Sequence, residues 1–210
     1  MPDRNTHSIA ARADVCRLLA ACYYQPGAEL GEERVFDSLH LAAAQLDPDL
    51  AARARRLGDA FDTESVEDLL IDYTRLFLGP VDAHARPYGS VWLETDGGLM
   101  KDSTADVLAL YAEGGFEISD DFRDLPDHIA AELEFLYLQL FREAEARVSG
   151  DAGAGASATM LRQRLLDEHL GAWVGRFAAA MEAGAETGFY RELAGITRRF
   201  VALESRESNA

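Results

Sequence analysis

The folds open to this chain are narrowed most by its hydrophobic period: every long apolar pattern repeats at the 3.6-residue spacing of a helix, and none alternates as a strand does. Val15, Leu18, Leu19, Cys22 and Tyr23 fall at i, i+3, i+4, i+7 and i+8, the stripe of an amphipathic helix over about Ser8 to Tyr24, which Pro26-Gly27 ends. A second helix is predicted over about Glu32 to Ala44. Asp47-Pro48 then supplies an N-cap and a proline at the first helical position of a third, with Leu50, Leu57 and Phe61 facing inward. Val66, Leu69, Leu70, Tyr73, Leu76 and Phe77 carry a fourth, opened by a capping box of Ser65 and Asp68 and stopped at Gly79-Pro80.

From Val81 to Met100 the period vanishes and Pro87, Tyr88, Gly89, Trp92, Gly97 and Gly98 accumulate. So many large apolar side chains require burial or a partner, which predicts an ordered loop and not a linker. Helix returns over about Ser103 to Glu113 and again after Asp124-Leu125-Pro126, running towards Val148. The Gly- and Ala-rich run Ser149 to Ser157 is predicted to be the most flexible connection. Leu166, Leu170, Trp173, Phe177 and Met181 mark a further helix, and Tyr190, Leu193, Ile196 and Phe200 a last one. The expected fold is all-α: a single globular helical domain over residues 1–210, with about seven or eight helices and one ordered central loop. Division into two lobes near 81–101 or 149–157 is the alternative.

Composition removes several function classes. With 210 residues, 48% of them hydrophobic, the chain can fill a core, yet charges interrupt every apolar stretch well short of a membrane span. The formal charge of −17 repels a phosphate backbone, so no nucleic-acid partner is expected, nor direct insertion into a membrane. Arg4 and Arg12 are followed by no apolar export segment, which predicts a cytoplasmic protein. Cys16 and Cys22 form no CxxC pair and read as buried free thiols.

Enzymatic signatures are absent. There is no GxxxxGK[ST] phosphate loop, no GxSxG elbow and no HExxH, so no cofactor, metal or catalytic residue is predicted. Asp37 with His40 makes only one acidic i,i+3 pair, whereas a dinuclear centre needs two Glu-x-x-His motifs. His128 and Glu132 share a helix face and could hold one metal. A metal-dependent helical enzyme therefore stays open as an alternative, as does a structural adaptor that binds folded subunits.

Two segments remain. The first, Asp72-Tyr73-Thr74-Arg75-Leu76-Phe77-Leu78-Gly79-Pro80, leads into Pro87-Tyr88-Gly89-Ser90-Val91-Trp92, and the second is Leu125-Pro126-Asp127-His128-Ile129-Ala130-Ala131-Glu132-Leu133-Glu134-Phe135-Leu136. Singly, Leu76, Phe77, Val91 and Leu133 read as core, Asp127 as a first-turn carboxylate, His128 as a partly buried histidine and Ser90 as a turn hydroxyl. Together the pattern (D/E)YxxLFxGP, PxxSV-aromatic, DHxxxELxF resembles the TorD/DmsD/NarJ family of molybdoenzyme assembly chaperones over residues 72–136. Leu136 stands where methionine often occurs in that family. The resemblance implies an all-helical, non-enzymatic chaperone whose partner is the catalytic subunit of a molybdenum-cofactor oxidoreductase, held through its twin-arginine leader peptide before cofactor insertion. It also implies a peptide-binding region containing Leu76, Phe77, Pro87, Tyr88, Ser90, Trp92, Asp127, His128 and Glu132. The two segments are expected to converge, with Asp127 and His128 partly exposed at the edge of a groove walled by Leu76, Phe77 and Trp92, and replaceable by alanine with little effect on the fold.

Overall fold

The computed structural model describes residues 4–79, 83–94, 98–119 and 121–208. Pro80, Val81 and Gly97, named above as helix stop or loop residues, lie outside the described residues. Within them the chain forms eleven α-helices and no sheet. The only β feature among them is an isolated antiparallel bridge between Tyr88 and His128.

Helix α1 (Arg4–Ala21) packs on α3 (Val35–Ala44) and α8 (Ile129–Ser149), after the short α2 (Glu29–Glu32). Helix α4 (Pro48–Thr63) opens as predicted: the Asp47 carboxylate accepts from Leu50 N–H at 2.9 Å and Pro48 stands in the first turn. Ser65 caps α5 (Val66–Tyr73), its hydroxyl accepting from Asp68 N–H at 3.1 Å. Helix α5 runs directly into a π-helical turn, Thr74–Leu78. The central loop contains a helix of its own, α6 (Gly89–Leu93), and leads to α7 (Asp102–Glu113).

The C-terminal half departs from the predicted outline in two places. The run expected to be flexible is mostly helix, α9 (Ala152–Glu168). Alanine favours helix enough to offset Gly153 and Gly155, and Asp151 caps the first turn through Ala154 N–H at 3.0 Å. The actual break is two residues, Gly150 and Asp151, with Gly150 at φ 78° ending α8 in the left-handed conformation glycine tolerates. The helix expected across Leu166–Met181 is two helices, α9 and α10 (Leu170–Gly184), which meet at His169. Gly171 permits that junction, because a Cβ there would lie 2.1 Å from the Leu166 carbonyl oxygen.

Helix α10 packs on α9 and on α11 (Gly188–Ser208), and α11 on α4, so one apolar cluster runs from Ile9 to Val201. Cys16 and Cys22 are buried in it as free thiols; burial pushes the Cys22 thiol up to about 12. Charge also crosses the core. Arg12 of α1 pairs with Glu204 of α11 at 2.6 and 2.5 Å, and Arg162 of α9 lies 3.7 Å from Glu204 and 3.6 Å from Glu143 of α8. No helix among the described residues is long and apolar enough to cross a membrane.

Candidate functional site

The first motif segment is mainly a structural joint. Asp72, buried on α5, accepts at Oδ2 from Glu186 N–H, Thr187 N–H and the Thr187 hydroxyl at 3.0, 2.8 and 2.7 Å, which fixes the turn into α11. Its Oδ1 accepts from Arg75 at 2.9 Å, and Arg75 also donates to the Gly184 carbonyl. The π turn faces Leu76 and Phe77 inward. Phe77 lies within 6.3 Å, centroid to centroid, of Tyr23, Tyr73, Phe177 and Tyr190, so both residues are core and neither walls a groove.

The loop part of the first segment converges with the second, as expected. Gly89 N–H donates to the Asp127 carbonyl at 2.8 Å and Ile129 N–H to the Pro87 carbonyl at 2.9 Å. Ser90 N–H donates to Asp127 Oδ2 at 2.8 Å. Trp92 ties the loop to itself, its indole N–H donating to the Arg86 carbonyl at 2.8 Å while its ring packs on Phe177. These bonds clasp α6 to the entry of α8. Gly89 sits so close that a Cβ there would lie 3.0 Å from Glu132 Oε1 and 3.1 Å from Trp173 Nε1.

Exposure differs from the expectation. Asp127 and His128 are each only 2% exposed, and Pro87, Ser90 and Glu132 are buried with them. Asp127 is buried because Ser90 N–H claims one carboxylate oxygen; its Oδ1 and the Ser90 hydroxyl have no hydrogen-bond partner among the described residues. His128 is the N-cap of α8, its Nδ1 accepting from Ala130 N–H at 3.1 Å. That acceptor role requires a neutral ring with the proton on Nε2, and burial lowers the pKa to about 4 against the partial opposition of Asp124 and Asp127. Helix α8 therefore starts at Ile129 and not at Pro126, because residues 127–128 are drawn out to pair with the loop. Glu132 accepts from the Trp173 indole N–H at 3.2 and 3.1 Å, and desolvation raises its carboxyl well above the usual range.

None of this makes a metal centre. No trio of His, Cys, Asp or Glu able to hold an ion occurs among the described residues, and His40 Nδ1 is 3.0 Å from the Ala51 carbonyl while Asp37 pairs with Arg34.

What the clasp presents outward is aromatic and acidic. Tyr88 and Trp92 are half-buried. The Tyr88 ring lies 5.4 Å from His128, Phe122 6.1 Å from the same imidazole, and Tyr24 6.3 Å from Phe122. Tyr88 donates its hydroxyl to Asp124 Oδ1 at 2.7 Å and Tyr24 to Glu134 Oε1 at 2.6 Å. Burial and those carboxylates raise both phenol pKa values, so both stay donors. An apolar, ring-lined surface bordered by carboxylates can take a segment that is both apolar and cationic. Tyr24, Phe122, Asp124 and Glu134 are absent from the peptide-binding residues that the resemblance implies; Asp124 reads in the sequence only as a helix start, and Glu134 stands inside the DHxxxELxF segment.

Comparison with known proteins places this arrangement. The family model for the nitrate reductase delta subunit matches residues 43–179. Among curated relatives, the chaperone protein TorD of Shewanella loihica is 29% identical, covering 92% of this chain and 91% of that one. TorD of Escherichia coli is also 29% identical, over 82% of this chain and 88% of its own. The crystal structure of a redox enzyme maturation protein from Archaeoglobus fulgidus superposes with a TM-score of 0.58 at 21% identity, covering 90% of this chain and 93% of the other, and so shares the fold. With the family model spanning most of the chain and the motifs in place within it, the chain belongs to the nitrate reductase delta subunit family, the TorD/DmsD/NarJ group of assembly chaperones.

Proposed function

We propose that this protein is a cytoplasmic assembly chaperone for a molybdenum-cofactor oxidoreductase, and that it holds the twin-arginine leader peptide of that enzyme until the cofactor is inserted. The observation that supports this most is the clasp between the central loop and the α8 entry, which sets the half-buried Tyr88 ring beside Asp124, with the exposed Tyr24 ring bonded to Glu134 close by. A twin-arginine leader combines an arginine pair with an apolar stretch. The rings of Tyr24, Tyr88, Trp92 and Phe122 would take the apolar part, and the carboxylates would pair with guanidinium through charge-assisted hydrogen bonds. Asp127, His128, Glu132 and Ser90 then act from beneath, as positioning residues, with Pro87 held in the same clasp, while Leu76 and Phe77 support the core behind it.

The test is fluorescence anisotropy with a labelled synthetic twin-arginine leader and the same peptide with both arginines changed to glutamine. Parent protein should prefer the arginine peptide. The double substitution Asp124→Asn with Glu134→Gln should weaken binding at least tenfold, about 1.4 kcal/mol, without lowering the melting temperature. Equal binding of both peptides, or no effect of the double substitution, would overturn the assignment.

A further inference from the structure

A second surface lies between α1 and α8, starting at Tyr137, one turn beyond Glu134, and running to the C-terminal end of α8. There a groove of about 760 Å³ has Ala10 and Ala13 on one wall and Tyr137, Phe141 and Val148 on the other. Tyr137 and Phe141 stand one turn apart with centroids 6.1 Å from each other. Phe141 is 44% exposed and Val148 76%, so the wall keeps large apolar groups in water. Small side chains opposite large ones leave a trough, and its α8 side, from Tyr137 to Ser149, runs about 18 Å at 1.5 Å per residue. That is the length of a three-turn helix.

The rim gives the sign of the partner. Asp14 on α1 and Glu145 on α8 border the groove, and no Lys, Arg or His lines it among the described residues. Asp14 has only a solvent-exposed contact with Arg17 at 3.7 Å. The trough ends at the C-terminus of α8, where the helix dipole adds partial negative charge and the one basic residue of the last turn, Arg147, is paired with Glu143 at 3.0 Å. From this charge complementarity we infer that the α1–α8 groove is a second docking site, which takes a basic amphipathic helical segment of a partner protein. A second copy of this chain fits poorly, because it would bring its own Asp14 and Glu145 to the same rim and add another −17 of net charge.

The experiment uses the full chain, saturated with twin-arginine leader peptide so that the clasp surface is occupied. The probe is a labelled synthetic helix of about 15 residues, leucine on one face and arginine on the flanks, with a counterpart carrying glutamate for arginine. The basic probe should bind at least tenfold more tightly than the acidic one. Val148→Asp, and separately Asp14→Lys with Glu145→Lys, should each weaken the basic probe at least tenfold while leaving the circular-dichroism melt and leader binding unchanged. Four results would overturn the inference: equal affinity for the two probes, unchanged binding by both variants, displacement of the probe by the leader, or sedimentation as a dimer that Val148→Asp dissociates.

Discussion

Replacing Asp127 with alanine tests whether the clasp holds the loop. Ser90 N–H is 2.8 Å from Asp127 Oδ2 and Ser90 is fully buried, so the substitution strands a buried donor. Such a loss costs about 1–3 kcal/mol, offset in part because an incompletely paired buried carboxylate is removed. For a chain of this length about 2–4 °C is lost per kcal/mol, so a fall of about 2–12 °C is expected. Asp127→Asn retains an oxygen acceptor at the same place and should stay within about 1 kcal/mol of the parent. Scanning calorimetry reads the global effect, and hydrogen exchange at the Ser90 amide reads the local one. Leader binding should drop for Asp127→Ala and persist for Asp127→Asn, since a positioning role needs the acceptor and not the charge. Unchanged Ser90 exchange in the alanine variant would refute the reasoning, and equal loss of leader binding in both variants would make Asp127 a direct contact instead.

Two buried groups should give opposite pH dependences. His128 stays neutral in the folded state, so as pH falls from 6.5 towards about 4 the unfolded chain takes up a proton first and stability drops by about 1.4 kcal/mol per pH unit. His128→Asn keeps a capping acceptor and should abolish that slope in urea titrations; an unaltered slope would refute the assignment. Glu132 binds its proton more tightly folded than unfolded, so above about 4.3 its contribution falls as pH rises, until the raised folded pKa is passed. Glu132→Gln should therefore raise the urea midpoint at pH 7 and lose that advantage near pH 4, and a lower midpoint at pH 7 would count against a protonated Glu132. Arg12→Met removes the closest cation from buried Glu204 and leaves Arg162 at 3.7 Å, and should cost about 3–5 kcal/mol by chemical denaturation, whereas a loss below about 1 kcal/mol would mean the pair is replaceable.

What the sequence made legible is what local spacing encodes. The stripe from Val15 to Tyr23 and the caps at Asp47 and Ser65 depend on residues within a turn or two, and the structure has them. The Ala152–Ala156 segment was hidden because glycine suggests a loop while the decisive signals, the Asp151 cap and the Gly150 stop, sit just ahead of it. The convergence of Trp92 and Asp127 followed from the need to bury a ring-rich loop. Their exposure did not: an Asp-His pair suggests a surface, and only the distant Ser90 amide and the Ala130 amide explain its burial. Tyr24 and Phe122 join the candidate surface through ring contacts that no sequence spacing records.

The bond between Arg12 and Glu204 also has a bearing on the order of synthesis. Arg12 is synthesised 192 positions before the carboxylate that pairs with it in the core. At about 5–20 residues per second, the N-terminal helix waits roughly 10–40 s for that partner. Until then α1 cannot settle with its guanidinium buried, and the ring-lined surface around Tyr24 lacks its final support. The docking of α1 is thereby tied to the arrival of α11, and neither helix is secured in the core before both have been made.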